Sequence, residues 1–211
     1  MSRTAGGRPV ARRRARRKAV SMAVPPGVRL RVTADDFWRL CVANRDLRLE
    51  RTARGRLIVM APAGSDSGMR NADLTAQVVV WAKADGTGVP FDSSAGFTLP
   101  NGAVRAPDAS WIVRERWDAL TREQKDKFSP ICPDFVVELT SPSDTHEAAR
   151  KKLAEYIEQG ARLGWLIHRK TGAVEVYRPG RPVEVLKRPA TLSGEDVLPG
   201  FELDLKGILF D

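Results

Sequence analysis

The chain has 211 residues, 42% of them hydrophobic and 29% charged, with five Trp. That length fits one domain able to bury a core without a disulfide or metal staple. It holds no apolar run near the roughly 20 residues needed to span a bilayer, so no membrane association is expected. The net charge is +9, but eight basic side chains and no acid fall in residues 1–18, which leaves the remainder at +1. The basicity is therefore an arm, and the body is near neutral. Residues 1–27, the arm with its Pro25-Pro26-Gly27 linker, are expected to be disordered, and residues 28–211 to form the folded domain. The arm either adds phosphate affinity by counterion release or is a solvated tail. Cys41 and Cys132 stand far apart in no metal-ligand spacing and read as free buried thiols of a reducing cytoplasm.

In chain order, TADDFWRLCVAN predicts a helix capped by Thr33, with Asp36 three residues on and Phe37, Leu40 and Cys41 sharing a face. LRLER and RLIVMA predict two strands joined through Thr52–Gly55. GSDSG reads as a flexible loop, and Arg70 to Lys83 as a helix with Leu74, Val78 and Trp81 in one apolar stripe. Short strands are expected around VPFD, GFTL and AVRAPDASWIV, with Pro100-Asn101-Gly102 turning between two of them. The charged stretch Glu115 to Lys127 reads as a surface helix or loop.

PDFVVELTS is the strongest strand, because the unbroken Phe135-Val136-Val137 run suits a strand covered on both faces. SPSDTHEAARKKLAEYIEQG follows as a helix capped by Ser143 or Asp144 and stopped by Gly160. LGWLIH predicts another buried strand, which turns through KTGA into VEVY. Pro179 to Asp211 reads as strand-poor chain wrapping the body. The order implies an α/β domain with a mixed sheet, in which the helical crossover makes VVELT and GWLIH parallel neighbours.

The candidate chemistry lies in acids. A hard divalent cation such as Mg²⁺ takes oxygen ligands and keeps several waters, so one or two carboxylates suffice to hold it. Asp108 follows Pro107 at the start of a strand. Glu138 ends the apolar run, where a buried charge is costly unless paired or bound to a cation. Alternation places Glu138 on the face of Val136, and Leu139 can offer its backbone carbonyl. Lys151 and Lys152 lie in the next helix, with Tyr156 one turn beyond Lys152. Plainer readings stand beside these: Asp108 as a turn residue, Glu138 and Lys152 as an internal ion pair, Glu50 as an exposed hairpin glutamate. His146 and His168 match no zinc spacing and read as structural. A GxSxG elbow and a GxxxxGK phosphate loop are both missing, which excludes a serine hydrolase of that type and an ATP-driven mechanism.

RAPDASW, VVELTSPSD and KLAEYIEQGARLGWLI, in that order and spacing, resemble the motifs of the Uma-two family. That family groups restriction-endonuclease-like proteins within the PD-(D/E)XK nuclease superfamily. LERTARGRLIVMAP, GMRNADLTAQ and TLSGEDVLPGF extend the resemblance over residues 33–205, leaving the basic arm outside. The resemblance implies a restriction-endonuclease-like core, with a mixed central β-sheet flanked by helices. It also implies a Mg²⁺- or Mn²⁺-dependent endonuclease hydrolysing phosphodiester bonds, with DNA the expected partner.

Roles follow residue by residue from that resemblance. Asp108 and Glu138 would hold the metal, with the Leu139 carbonyl as a further ligand. The superfamily's lysine stands two residues after the second acid, where this chain has Thr140. In this family it has moved to the following helix, which points to Lys152, with Lys151 the adjacent alternative. Glu50 matches an upstream acid that would complete the site or bind a second metal. Many relatives carry a histidine in the helix after the first hairpin, whereas this chain has Arg70 and Asn71, with Gln77 a further polar candidate. The departure at Thr140, with the basic arm, leaves open a non-catalytic nucleic-acid-binding module on the same fold. Analogy with superfamily members that dimerise to cut both strands points to a homodimer.

Overall fold

The computed structural model describes residues 29–141 and 145–210. The expectations for the basic arm and for a Ser143 or Asp144 cap lie outside the described residues. The chain runs through α1 (Ala34–Ala43), β1 (Arg48–Arg51), β2 (Leu57–Met60), α2 (Ser65–Asp85), β3 (Gly88–Asp92), β4 (Phe97–Thr98), β5 (Val104–Arg105) and β6 (Ala109–Val113). It continues with α3 (Arg114–Asp118), α4 (Arg122–Lys125), β7 (Phe135–Leu139), α5 (His146–Glu158), β8 (Leu163–His168), β9 (Ala173–Tyr177), β10 (Glu184–Lys187), β11 (Thr191–Ser193) and β12 (Glu202–Asp204).

The central sheet has six strands in the order β10–β9–β8–β7–β6–β3. Only β7 and β8 pair in parallel within it, with Glu138 opposite Leu166, as the α5 crossover requires. Both faces are covered, which is why β7 reads as continuous apolar sequence. On one face Leu74 and Val78 of α2 pack with Trp111, Val137, Trp165 and the C-terminal Phe201 and Leu203. On the other, Leu153 and Tyr156 of α5 pack with Ile112, Val136, Leu166 and Tyr177. Gly164 sets how near α5 comes to the sheet, because a Cβ there would lie 2.9 Å from a Leu153 methyl. A smaller sheet, β2–β1–β5–β4, brings Glu50 of β1 beside Arg105 of β5.

Three expectations need correction. GSDSG is not a loop: α2 begins at Ser65, with Gly64 as its N-cap. The cost of Gly68 in a helix, about 1 kcal/mol, is opposed by Asp66, which lies in the first turn and pairs with Arg70 at 3.0 Å and with Arg169. The C-terminal part is not strand-poor, since β10 joins the central sheet and β11 pairs with β12. Those strands are too short for alternation to register, and β11 and β12 each bury a single leucine. Of the predicted thiols, Cys132 is buried but Cys41 only half-buried; both are free. The stretch from Glu115 to Lys127 resolves into two short helices, the second opened by a Thr121–Gln124 capping box.

Candidate active site

Three carboxylates from different elements gather in one place, and two of them, Glu50 and Glu138, meet one lysine. Glu50 comes from β1, Asp108 from the residue before β6, and Glu138 from the C-terminal half of β7. Lys152 comes from the middle of α5, on the helix face that packs over β7. Its ammonium lies 2.7 Å from Glu138 Oε1 and 2.8 Å from Glu50 Oε1, and donates to the Ala106 carbonyl at 3.1 Å. Those acceptors match its three N–H groups.

Each acid is held by further contacts. Glu50 accepts the Ala106 amide at 3.1 Å and an Arg105 N–H at 3.0 Å. Arg105 also bridges to Glu155 at 2.6 Å, tying the small sheet to α5. Asp108 donates its own amide to the Val137 carbonyl and accepts the Leu139 amide at 2.9 Å, which locks it beside the end of β7. Arg48 stands 3.9 Å from the other Asp108 oxygen and donates to the Ser93 carbonyl. The Tyr156 hydroxyl reaches Glu138 at 3.3 Å.

The electrostatics separate the three acids. Burial, reinforced by the neighbouring charges of Asp108 and Glu50 and only partly offset by Lys152, pushes Glu138 up to about 8. Burial penalises Glu50 too, yet Lys152 and Arg105 hold it below the usual carboxylate range. Burial pulls Lys152 down, but Glu138 and Glu50 keep its ammonium above the ordinary lysine value. The centre thus pairs a fixed cation with one carboxylate that readily carries a proton.

This oxygen-rich set fits a hard cation. Four carboxylates (Glu50, Asp108, Glu138, Glu155) face three cationic side chains (Arg48, Arg105, Lys152), and Glu138 rises through burial first and then through the neighbouring acid charges. Among the described residues, the one group of three donors packed within 4.8 Å lies elsewhere. Asp108 and Glu138 could hold such an ion, with the Leu139 carbonyl and water completing its shell, as Mg²⁺ permits.

Not every expected residue joins the cluster. Lys151 points away and pairs with Glu147 at 2.5 Å in solvent. Arg70 is buried against the C-terminus, donating to the carbonyls of Gly207, Ile208 and Phe210. Gln77 binds the backbone of Asp204 in β12. Asn71 carries a buried side-chain oxygen without a partner. Glu50, whose hairpin position suggested exposure, is only 3% exposed. Sequence reasoning missed Arg48, Arg105 and Glu155. Arg105 stood inside the RAPDASW motif, three residues before Asp108, and that placement was its one local signal.

The fold and the centre define an α/β protein whose acids and lysine gather at the end of a parallel strand pair. A model of the Uma2 family, described as "Putative restriction endonuclease", matches residues 34–206, and the chain belongs to that family. A crystal structure of a "putative nuclease belonging to DUF820" from Anabaena variabilis is similar, with a TM-score of 0.69 and 21% identity. The match covers 84% of this chain and 97% of that one, and shows a shared restriction-endonuclease-like fold. A search of the curated proteins finds no match. Among the described residues, no helix is long and apolar enough to cross a membrane.

Proposed function

We propose that the protein is a Mg²⁺- or Mn²⁺-dependent endonuclease that hydrolyses phosphodiester bonds in DNA. The observation that carries this reading is the meeting of Glu50 and Glu138 on the buried ammonium of Lys152, with the Asp108 charge beside Glu138. Asp108 and Glu138 would hold the ion, with the Leu139 carbonyl as a further oxygen. When bound, such an ion lowers the pKa of a water and neutralises charge on the phosphate.

The chain's own residues do the rest. Lys152 is held by Glu50 and the Ala106 carbonyl, and the N–H that Glu138 would give up on holding the ion would orient the attacking water, while the ammonium stabilises negative charge without reorganising. Glu50 anchors Lys152 and is itself neutralised by Arg105. Arg48, beside Asp108, supplies a guanidinium fork suited to a phosphate oxygen. The cytoplasmic, homodimeric enzyme belongs to the same proposal.

One observation favours a second reading, a nucleic-acid-binding module that does not cut: the Lys152 contacts already form a closed ion-pair network. Incubation of a labelled duplex with purified protein and Mg²⁺ or Mn²⁺ separates the two. Cleavage that EDTA, Asp108→Ala and Glu138→Ala each abolish, in folded protein, supports the nuclease. Retained binding without cleavage, across DNA and RNA and with both metals, supports the module.

A further inference from the structure

A second donor cluster lies on the α5 face of the sheet, apart from the acid–lysine centre. His146 opens α5, His168 closes β8, and Glu175 sits mid-way along β9. Strand register places Glu175 opposite Leu166, so Glu175 and His168 are diagonal neighbours on one face. The two imidazoles stack with centroids 3.8 Å apart and planes 22° apart. Each of the three residues offers a nitrogen or oxygen donor, and those atoms all lie within 4.8 Å of one another.

An independent observation marks the cluster as incomplete. His168 is 1% exposed, and its Nε2 meets Glu175 Oε1 at 3.0 Å, while its Nδ1 is buried without a partner. A buried polar atom left unpaired is destabilising, a cost that a ligand on Nδ1 would recover. A four-coordinate ion with bonds near 2.0–2.2 Å spaces its ligand atoms roughly 3.3 Å apart. If Nε2 is the ligand atom, the His168–Glu175 separation is already close to that spacing. If Nδ1 is, the ion satisfies the unpaired atom and Glu175 orients the ring through Nε2. In both cases His146, on the exposed first turn of α5, is free to swing in.

We propose that His146, His168 and Glu175 form a binding site for a borderline transition-metal ion such as Zn²⁺, clamping the first turn of α5 onto β8 and β9. The donor chemistry differs from that of the oxygen-rich centre, because imidazole nitrogens favour Zn²⁺, Ni²⁺ or Co²⁺ over Mg²⁺. Glu175 serves as the third ligand or as the carboxylate that orients His168. Its own position is fixed by the Tyr177 hydroxyl at 2.7 Å. Arg150 competes for the same carboxylate, donating to both oxygens, but its side chain is 54% exposed and can turn into solvent. The clamp would act on the helix that carries Lys152, and it stands whether or not the protein proves to be a nuclease.

The test titrates Co²⁺ and Zn²⁺ into tag-free, EDTA-stripped full-length protein in an Asp108→Asn background, so that the oxygen site does not contribute. Calorimetry and the visible absorption of Co²⁺ are read together. One equivalent should bind, with nitrogen-rich Co²⁺ bands. His146→Ala, a surface change that leaves the core intact, should weaken binding at least tenfold. Arg150→Gln should tighten it several-fold by removing the competitor. Failure of the parent to bind either metal, or unchanged affinity in His146→Ala, overturns the site.

Discussion

Replacing Lys152 with Met removes the cation that two buried carboxylates share, and the structure sets both the size and the pH dependence of the loss. The Lys152, Glu138 and Glu50 side chains are 16%, 13% and 3% exposed, so water screens the contacts weakly. At pH 7 the charge left under-compensated is that of Glu50, which keeps Arg105, because Glu138 is then mostly protonated. Breaking a buried pair by removing one partner costs up to about 3–5 kcal/mol. For a domain of this size that corresponds to a fall in Tm of roughly 6–20 °C. The pH dependence follows from Glu138. Its carboxyl is held near 8 with Lys152 present and rises further without it. Between those two values the variant carries one more proton than the wild type, so each pH unit above 8 adds up to about 1.4 kcal/mol to the loss. Urea denaturation followed by circular dichroism in EDTA at pH 7, 8 and 9 measures this. A loss below about 1 kcal/mol at pH 7, or one that stays constant to pH 9, would refute the reasoning.

Other outcomes follow from the same contacts. Glu138 titrates near 8 in the folded protein against 4.5 for the free side chain, so its stabilising proton is complete below 4.5 and lost as the pH rises through 8. Glu138→Gln should flatten that decline in denaturation curves taken across the window. Gly88→Ala places a Cβ 2.2 Å from the Trp111 ring and 2.5 Å from the Ile112 carbonyl; thermal melts should show a loss of about 1–3 kcal/mol or more. Arg70→Met should release the chain end, costing about 1.5–3 kcal/mol and raising amide hydrogen exchange across residues 205–210. Burial pushes the Cys132 thiol up to about 12, so a thiol reagent should modify Cys41 alone in native protein.

What could be read from the sequence was local or periodic. The unbroken apolar run of β7 announced a strand covered on both faces, and the crossover rule then made β8 its parallel neighbour. The order of motifs pointed to Asp108, Glu138 and Lys152, which the fold brings to one place. The remainder depended on long-range contact. Glu50 is buried because Arg105 lies 55 residues away in sequence and Lys152 lies on α5, and nothing in LERTARG encodes either. Arg70 stands in the region where many relatives carry a histidine, yet its partners are carbonyls 137 to 140 residues away. The start of α2 was hidden by its glycines, since the ion pair from Asp66 to Arg169 that supports it spans 103 residues. His146 and His168, with no metal spacing between them, gave no sign that a strand end and a helix start would stack their rings.

The most direct test of the central claim is nicking of supercoiled plasmid DNA under single-turnover conditions, with saturating Mg²⁺ or Mn²⁺ and with EDTA. Wild-type protein should convert supercoiled to open-circular or linear DNA only when metal is present. Asp108→Asn and Glu138→Gln should lose that conversion while keeping their folded circular dichroism spectra. Intact plasmid with the wild type under both metals, or cleavage that persists in the folded Asp108→Asn variant, would contradict the account.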